Sequence, residues 1–368
     1  MIVTMRTDDF DYKLPLELIA QSPIEPRDSS RLMILDRENG EIKHRQFPDL
    51  LGYLRPGDVM VFNQSRVIPA RLYGHRIDTG SKAEFLLLRR NADGTWEAMA
   101  RPGRRLRPGV VVEIEEKLPL GSRREGDEGE FTVEIITAHD DGLKTVQLSS
   151  EEGIDRFGHT PLPPYIKEPL ENTERYQTVY SHRPGSVAAP TAGLHFTNGL
   201  LQRARDLGVE TVFVTLHVGL DTFKPVDEDD PTEHTIHTEH YQIDAQAADA
   251  LNRAKAEERR IIAIGTTSVR VLEQAGLDLD QNGQTDLKAT ESEASIFILP
   301  GHNFRMVDAM VTNFHLPRSS LMMLVSAFVE SGNRDPSTDG RSIVMAAYEE
   351  GINQRYRFYS FGDAMFIA

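Results

Sequence analysis

Two patterns of hydrophobic and polar positions divide the chain. Between residues 59 and 151, short apolar runs such as Ala83–Leu88 and Phe131–Ile136 alternate with turn signals such as Asp78-Thr79-Gly80. Successive runs begin roughly 8–12 residues apart, a spacing typical of small barrels and sandwiches. The pattern therefore predicts a small all-β domain over residues 59–151.

The remaining residues follow a different pattern, in which predicted strands alternate with predicted helices. Such alternation is typical of an α/β fold with a parallel sheet, either open or closed as a barrel. We therefore expect an α/β domain built from residues 1–58 and 152–368, with the all-β domain inserted. The predicted strands include Thr211–Leu216, Ile261–Ile264, Ile296–Leu299 and Phe358–Phe361, and the predicted helices include Ala245–Arg259 and Ser268–Ala275.

Length and composition narrow the class of protein. A chain of 368 residues is longer than one ordinary core supports, which agrees with two domains. It has no cysteine, which excludes disulfides, thiolate catalysis and iron–sulfur ligation. No apolar run is long enough for a membrane span, and the first nine residues lack the pattern of a signal peptide. We expect a cytoplasmic protein with no membrane partner.

The charge distribution leaves room for a local contact with nucleic acid. The net charge of −16 argues against a general nucleic-acid coat, because phosphate contacts need Lys and Arg. Residues 59–124 nevertheless carry thirteen Lys and Arg against seven Asp and Glu. Arg101, Arg104, Arg105 and Arg107 crowd into one turn bounded by Pro and Gly. Such a cluster indicates either a solvated face or a phosphate-binding patch.

A stretch of small residues, Ser186–Thr197, is the first candidate site. Pro190 restricts the backbone, Gly193 permits close approach of a ligand or of backbone, and His195 is its one titratable side chain. This composition suits the wall of a small-molecule pocket that ends in an acid or base. Taken alone, the stretch fits a tight loop around a core histidine slightly better.

A second candidate lies where the predicted strand Ile261–Ile264 runs into Gly265, Thr266, Thr267 and Ser268. The N-terminus of the following helix would present free N–H groups and hydroxyls, which bind a carboxylate or phosphate. Arg270 lies one turn further on. The alternative is an ordinary N-capped helix, and the stretch has no Gly-Lys-Ser/Thr of a phosphate-binding loop.

Further histidines lie at or near predicted strand ends, namely His217 and His315, the latter close to Asn313. The segment from Glu233 to His240 also contains His234, His237 and Glu239. Its spacing differs from that of a helical zinc site, and on a strand His237 and Glu239 would share one face. We therefore rank an acid/base or substrate-contact pair above a metal site.

Motifs spread along nearly the whole chain then point to one family. They are Phe10-Asp11-Tyr12-x-Leu14-Pro15, Asn63-x-Ser65-Arg66-Val67-Ile68-Pro69-Ala70-Arg71, Ser186–Thr197, His217-Val218-Gly219-Leu220, Ile264–Arg270, Thr312-Asn313-Phe314-His315-Leu316-Pro317 and Tyr356–Met365. Together they closely resemble the S-adenosylmethionine:tRNA ribosyltransferase-isomerase family of the queuosine pathway. Gln64, Asp221, His240 and Ser295 depart from the pattern typical of that family.

The resemblance implies a barrel-like α/β main domain that carries an inserted small β-barrel. It also implies transfer of the ribosyl moiety of S-adenosylmethionine to 7-aminomethyl-7-deazaguanine at the tRNA wobble position. The products would be epoxyqueuosine in tRNA, adenine and methionine. S-adenosylmethionine would be a co-substrate, with no metal and no tightly bound cofactor, and we expect a monomer.

With this resemblance, the candidate residues take expected roles. The acid/base candidates are His195, His217, His237, Glu239 and His315. The expected substrate contacts are Pro190, Thr191, Gly193, Gly265, Thr266, Thr267, Ser268, Arg270 and Asn313. The expected tRNA contacts are Arg66, Arg71, Arg101, Arg104, Arg105 and Arg107. Two rivals remain: a metal-dependent hydrolase built on His234, His237 and Glu239, and a non-catalytic RNA-binding protein.

Overall fold

The structure is a computed structural model and describes residues 5–116, 131–139, 142–219, 225–236, 238–333 and 339–368. The strands are β1 (Arg31–Leu35), β2 (Ile42–Gln46), β3 (Val59–Asn63), β4 (Ser65–Val67), β5 (Arg71–Arg76), β6 (Lys82–Arg90), β7 (Trp96–Arg101), β8 (Val111–Ile114), β9 (Thr132–Ala138), β10 (Lys144–Leu148), β11 (Arg183–Ser186), β12 (Glu210–Leu216), β13 (Glu239–Ile243), β14 (Ile261–Ile264), β15 (Thr290–Ala294), β16 (Ala309–Asn313) and β17 (Ala364–Ile367).

The α-helices are α1 (Gly153–Phe157), α2 (Asn198–Asp206), α3 (Ala245–Ala256), α4 (Thr266–Asn282), α5 (Ser320–Gly332) and α6 (Gly340–Asn353). Short 3-10 helices span Thr7–Phe10, Leu16–Leu18, Arg27–Ser29, Phe47–Tyr53, Gly103–Arg105, Thr173–Tyr176, Thr191–His195 and Pro231–Glu233. Among the helices of the described ranges, none is both long enough and apolar enough to cross a membrane.

The chain divides into two compact units. The larger contains Met1–Ser65, Pro163–Arg183 and Ala189–Ala368, and the smaller contains Arg66–Leu162 and Pro184–Ala188. The predicted boundary at residue 59 is therefore too early, because β3 belongs to the sheet of the larger unit. Its five residues are all buried, as expected for a strand covered on both faces.

The larger unit is built on a nine-stranded sheet in the order β15-β13-β12-β3-β14-β16-β17-β1-β2. The central pairs β12–β3, β3–β14 and β14–β16 are parallel, as is β1–β17. The sheet is mixed rather than purely parallel, since β13, β15 and β2 pair antiparallel and β16 pairs antiparallel with β17. The edge strands β2 and β15 are largely solvent-exposed, which antiparallel strands tolerate better than parallel ones.

The smaller unit contains a closed antiparallel barrel in the order β10-β7-β6-β5-β8-β9. The α/β class with an inserted β-barrel is thereby confirmed. Alternate residues of β5 and β8, such as Leu72 and Val112, fill the interior. Gly74 is required where β5 passes β8, because a Cβ there would lie 2.1 Å from the carbonyl oxygen of Glu113.

Three local predictions differ from the structure for identifiable reasons: one helix is longer than predicted, and two predicted strands are absent at the predicted positions. The helix predicted at Ser268–Ala275 begins at Thr266 and continues to Asn282, where Gly283 ends it in a left-handed conformation. Ile296–Leu299 is not a strand, and the Ile296 N–H donates to the side chain of Gln274 instead. Phe358–Phe361 forms a turn, because Tyr359 has a φ of 69° that an extended strand cannot contain.

The core of the larger unit connects this sheet to the small-residue stretch. Phe196 packs edge-on against Phe47 and Phe62, with ring centroids 5.0 and 5.2 Å away. Ala192 lies in the same apolar cluster, with Ile264 at the end of β14. Burial of these side chains holds the loop that follows Pro190 against the ends of the central strands.

Candidate active site

A cavity of about 520 Å³, counted with its open mouth, lies within the larger unit. Two of its walls come directly from strand ends: Gly265 follows β14, and Asn313 ends β16. Ligands commonly bind outside the carboxyl ends of parallel strands. The full lining is Tyr165, Ala189, Pro190, Thr191, Ala192, Val218, Gly265, Thr266, Thr267, Thr312, Asn313, Phe314, His315, Leu316, Leu321, Tyr359 and Ser360.

The beginning of α4 forms the polar part of this wall. Gly265 has a φ of 88°, which allows β14 to turn directly into the helix. Thr267 is nine-tenths buried, and its hydroxyl has no hydrogen-bond partner in the described part of the chain. The N–H groups of the first helical turn lie beside it and are suited to an anion. Of the four predicted residues, Ser268 does not line the cavity, because its hydroxyl donates to the Ile264 carbonyl, 2.8 Å away.

Arg270 and Glu239 contact each other rather than the cavity. Both are more than nine-tenths buried, and the Arg270 guanidinium donates to Glu239 Oε2. Glu239 Oε1 accepts from the Gly219 N–H at 3.0 Å. A buried guanidinium needs a counter-charge, and this requirement explains the pairing. The predicted contact of Arg270 with substrate is therefore replaced by its ion pair with Glu239. The predicted pair of His237 and Glu239 stays a prediction, because His237 lies outside the described residues.

The small-residue stretch contributes less of the wall than predicted. Pro190 and Thr191 line the cavity. Gly193 lies against Tyr180 instead, where a Cβ would be 2.0 Å from the phenol oxygen. Ser186 belongs to the smaller unit. Close packing, rather than ligand approach, accounts for the glycine in this stretch.

His195 lies behind the wall and is almost fully buried. Its Nδ1 is 2.7 Å from Ser30 Oγ, its Nε2 is 3.2 Å from Asn313 Nδ2, and its ring stacks on Phe47. Because the amide nitrogen can only donate, Nε2 is the acceptor and Nδ1 carries the proton. Burial, with a smaller contribution from Arg357, lowers the pKa of His195 to about 3. The residue is thus a neutral core histidine that orients Asn313.

His315 lies in the wall itself. Its Nε2 is 2.7 Å from Thr312 Oγ1, its backbone N–H donates to the Tyr348 hydroxyl, and its carbonyl accepts from the Tyr12 hydroxyl. Burial lowers the pKa of His315 to about 3. The imidazole is therefore neutral near pH 7, and Nδ1 has no hydrogen bond to any other described residue.

His217 lies just outside the wall, next to the lining residue Val218. It is half-buried and stacks on His240 with ring centroids 6.0 Å apart. Burial and the neighbouring His240 lower the pKa of His217 to about 4. Its Nδ1 is buried without a partner among the residues that the structure describes. His240 Nε2 in turn lies 3.2 Å from Glu291 Oε1.

Sequence reasoning missed the aromatic part of the wall. Tyr165 and Tyr359 both line the cavity, as does Ser360. Tyr359 lies in the motif Tyr356–Met365, but the apolar pattern there predicts a strand at Phe358–Phe361 rather than a cavity wall. The proline-rich segment before Tyr165 carries no signal that would place its ring at the cavity.

Two residues of the hydrolase rival, His234 and Glu239, are engaged with other side chains, and the third, His237, lies outside the described residues. His234 Nδ1 bonds to Glu228 Oε2 at 2.7 Å, and Glu239 is paired with Arg270. In the described ranges, no three His, Asp or Glu side chains are placed to hold a metal ion.

The basic turn of the smaller unit is exposed. Residues 101–107 carry four exposed arginines, anchored by the fully buried Leu106 between them. Arg71 differs, because it pairs with Glu84. Arg66 is only partly exposed. The exposed turn of Arg101, Arg104, Arg105 and Arg107 is therefore the stronger candidate for phosphate contacts.

Comparisons with known proteins agree over the full chain. The family model described as queuosine biosynthesis protein matches residues 7–367. A curated relative from Dehalococcoides mccartyi (strain CBDB1) is 47% identical over 99% of this chain and 100% of its own, and one from Clostridioides difficile (strain 630) is 48% identical with the same coverage. Both are named S-adenosylmethionine:tRNA ribosyltransferase-isomerase.

A solved structure is also similar. The crystal structure of an S-adenosylmethionine tRNA ribosyltransferase from Thermotoga maritima matches with a TM-score of 0.52 and 35% identity. The match covers 98% of this chain and 100% of that one.

The environment of His195 makes a prediction about stability and pH. The unfolded chain takes up a proton on this histidine near pH 6.5, but the folded chain does so only near pH 3. The stability that the buried, neutral His195 contributes to the folded chain is fully present above pH 6.5 and is lost as the pH falls toward 3. Between pH 7.5 and 5, we expect the free energy of unfolding of the parent chain to fall by about 2 kcal/mol more than that of His195→Gln, as measured by urea unfolding with circular dichroism.

His182→Gln, at an exposed position, serves as the control and should follow the parent. An equal loss of stability in His195→Gln and the parent would show that the ring does not enter the folded state neutral.

Proposed function

The chain belongs to the family of queuosine biosynthesis proteins, and from that premise we propose that it transfers and isomerises the ribosyl moiety of S-adenosylmethionine onto tRNA. The acceptor is 7-aminomethyl-7-deazaguanine at the wobble position. The products are epoxyqueuosine in tRNA, adenine and methionine. The observation that carries the proposal is the full-length match to relatives of this name. The strand-end cavity, which is lined largely by residues of the motifs that carry the resemblance, supports it.

The chemistry requires an enclosed site. The sulfonium makes a proton on the ribose 5′-carbon removable, and the intermediates that follow must be kept from water. The backbone and small side chains of Ala189 to Ala192 allow close approach of the ribosyl group. Leu316 and Leu321 add apolar surface that excludes water.

The methionine carboxylate binds at the beginning of α4. The N-terminus of this helix favours an anion, and the free hydroxyl of Thr267 can donate to it. Arg270 acts indirectly in this proposal, because its charge is already paired with Glu239. Thr266 and Gly265 complete the wall beside the carboxylate.

His315 is the imidazole best placed to contact the reacting ribosyl group. It lines the cavity, and its Nδ1 is available for a substrate hydrogen bond. His217 is the second candidate, through its unpartnered Nδ1. His195 acts as a positioning residue, because it touches the cavity only through Asn313.

The exposed arginine turn binds tRNA phosphates in the proposed complex. The reaction needs no metal and no tightly bound cofactor, and the tRNA substrate makes the cytoplasm the proposed location. The monomeric state remains a prediction.

The reaction itself is the first test. Incubation with S-adenosylmethionine and tRNA carrying 7-aminomethyl-7-deazaguanine should release adenine and methionine in equal amounts, as followed by chromatography. Transfer RNA with unmodified guanine at the wobble position is the control and should release neither. Absence of adenine despite tRNA binding would favour the RNA-binding rival, and loss of activity on chelation would favour the hydrolase.

Thr267→Val tests the carboxylate site. The change preserves side-chain shape and removes one donor to a charged group, which costs about 1.5 kcal/mol or roughly tenfold in affinity. Calorimetry should show this weakening for S-adenosylmethionine. Thr285→Val, at an exposed position beyond the same helix, is the control. Equal affinities of the two variants would remove Thr267 from the site.

Charge reversal tests the arginine turn. The double variant Arg104→Glu with Arg105→Glu should weaken tRNA binding and flatten its dependence on salt, by roughly 0.7–0.9 in logarithmic slope for each phosphate that an arginine no longer neutralises. Binding of S-adenosylmethionine should not change. The control is a double variant at two other exposed positions, Arg45→Glu with Arg205→Glu, which changes the net charge by the same amount. If the control pair lowered the slope as much, the effect would be one of net charge alone.

A further inference from the structure

Two tyrosines form an aromatic section of the cavity wall. The rings of Tyr165 and Tyr359 have centroids 4.7 Å apart and planes inclined by 52°. They come from distant parts of the sequence and meet only at the cavity. Phe314 also lines the cavity. This section differs in chemistry from the helix terminus at Thr267 and from the imidazole of His315.

Polar neighbours lie at the phenol end of the Tyr165 ring and beside Tyr359. The Tyr165 hydroxyl is 2.7 Å from Ser360 Oγ. The Tyr12 hydroxyl, which interacts electrostatically with Tyr359, donates to the His315 carbonyl. The phenol of Tyr165 thus has a partner within the protein, and the rings themselves remain for an apolar, planar contact.

The backbone at Tyr359 is held in an uncommon conformation. Its φ of 69° is costly for a bulky residue, and such residues cluster at ligand sites. Its N–H donates to the Phe314 carbonyl at 3.2 Å, and its carbonyl accepts from Asn313 Nδ2 at 3.3 Å and from the Gly362 N–H at 2.9 Å. These bonds fix the ring relative to the end of β16.

We propose that Tyr165 and Tyr359 bind the planar base of a purine-type nucleoside by stacking. Aromatic side chains stack on any base. The apolar neighbours Leu316 and Leu321 would exclude water from the faces of the bound base. Thr312, Asn313 and His315 supply the polar groups nearby in the same wall. The inference rests on the proposed function, which supplies two such bases: the adenine of S-adenosylmethionine and the deazaguanine of tRNA.

Leucine and phenylalanine variants test the stacking surface. Tyr165→Leu and Tyr359→Leu remove the ring, and Tyr165→Phe and Tyr359→Phe keep it while removing the hydroxyl. Removal of the aromatic surface beneath one base is expected to weaken binding by roughly five- to 150-fold. The phenylalanine variants should restore most of the affinity, which a structural role of the hydroxyl bonds would not predict.

Calorimetry with adenosine, S-adenosylmethionine and methionine, together with the KM for tRNA, shows which of the two bases stacks on the tyrosines. If adenine stacks here, both leucine variants weaken adenosine and S-adenosylmethionine, and methionine binding does not change. If the tRNA base stacks here, S-adenosylmethionine binding is unchanged and the KM for tRNA rises. Because leucine at position 359 must also adopt a positive φ, Tyr165→Leu provides the independent measurement, with folding checked by circular dichroism.

The inference is overturned if folded Tyr165→Leu binds adenosine, S-adenosylmethionine and tRNA like the parent. Failure of the proposed function gives a different result. In that case the parent chain releases no adenine from S-adenosylmethionine, yet loss of adenosine binding in the leucine variants would still support the stacking surface.

Discussion

The hydrogen bonds of one buried amide, that of Asn313, connect three segments of the cavity wall. Its Oδ1 accepts from Thr191 Oγ1 at 3.0 Å, and its Nδ2 lies 3.2 Å from His195 and 3.3 Å from the Tyr359 carbonyl. A buried amide must have its donors and acceptor satisfied, so these segments cannot move apart without cost. The neutral state of His195 is part of this constraint, because a protonated ring could not accept from Nδ2. The positions of Thr191 and Tyr359 at the cavity therefore depend on the end of β16.

Burial also determines the charge of the cavity. His195 and His315 are neutral near pH 7, because their pKa values are lowered by burial. Arg270 is neutralised by Glu239, and burial raises the pKa of Tyr359 to about 12. The wall consequently adds little positive charge next to the sulfonium of the proposed substrate. The partial positive charge of the α4 N-terminus remains, and it lies where the proposed carboxylate binds.

The sequence predicted the fold class and the two domains better than the details of either. The apolar run that begins at Val59 was assigned to the small domain because it precedes the other short runs, but pairing with β12 and β14 places it in the sheet of the larger unit. In the site, Thr191, Thr267 and His315 were identified because each lies at a local junction of strand, loop and helix. Tyr165 was missed because its position at the cavity results from contact with Tyr359, 194 residues away by sequence number.

The sequence by itself determined which loops could bind a small molecule, since small residues, glycines and histidines after apolar runs are local features. It also determined the family, because the motifs extend over nearly the whole chain. Only the tertiary structure decided which side chains line the cavity and which lie behind its wall, bonded to other side chains. Arg270 pairs with a residue 31 positions away, and His195 bonds to residues 118 and 165 positions away. A side chain's charge and direction depend on such distant partners, because a buried polar group must be satisfied wherever the fold places it.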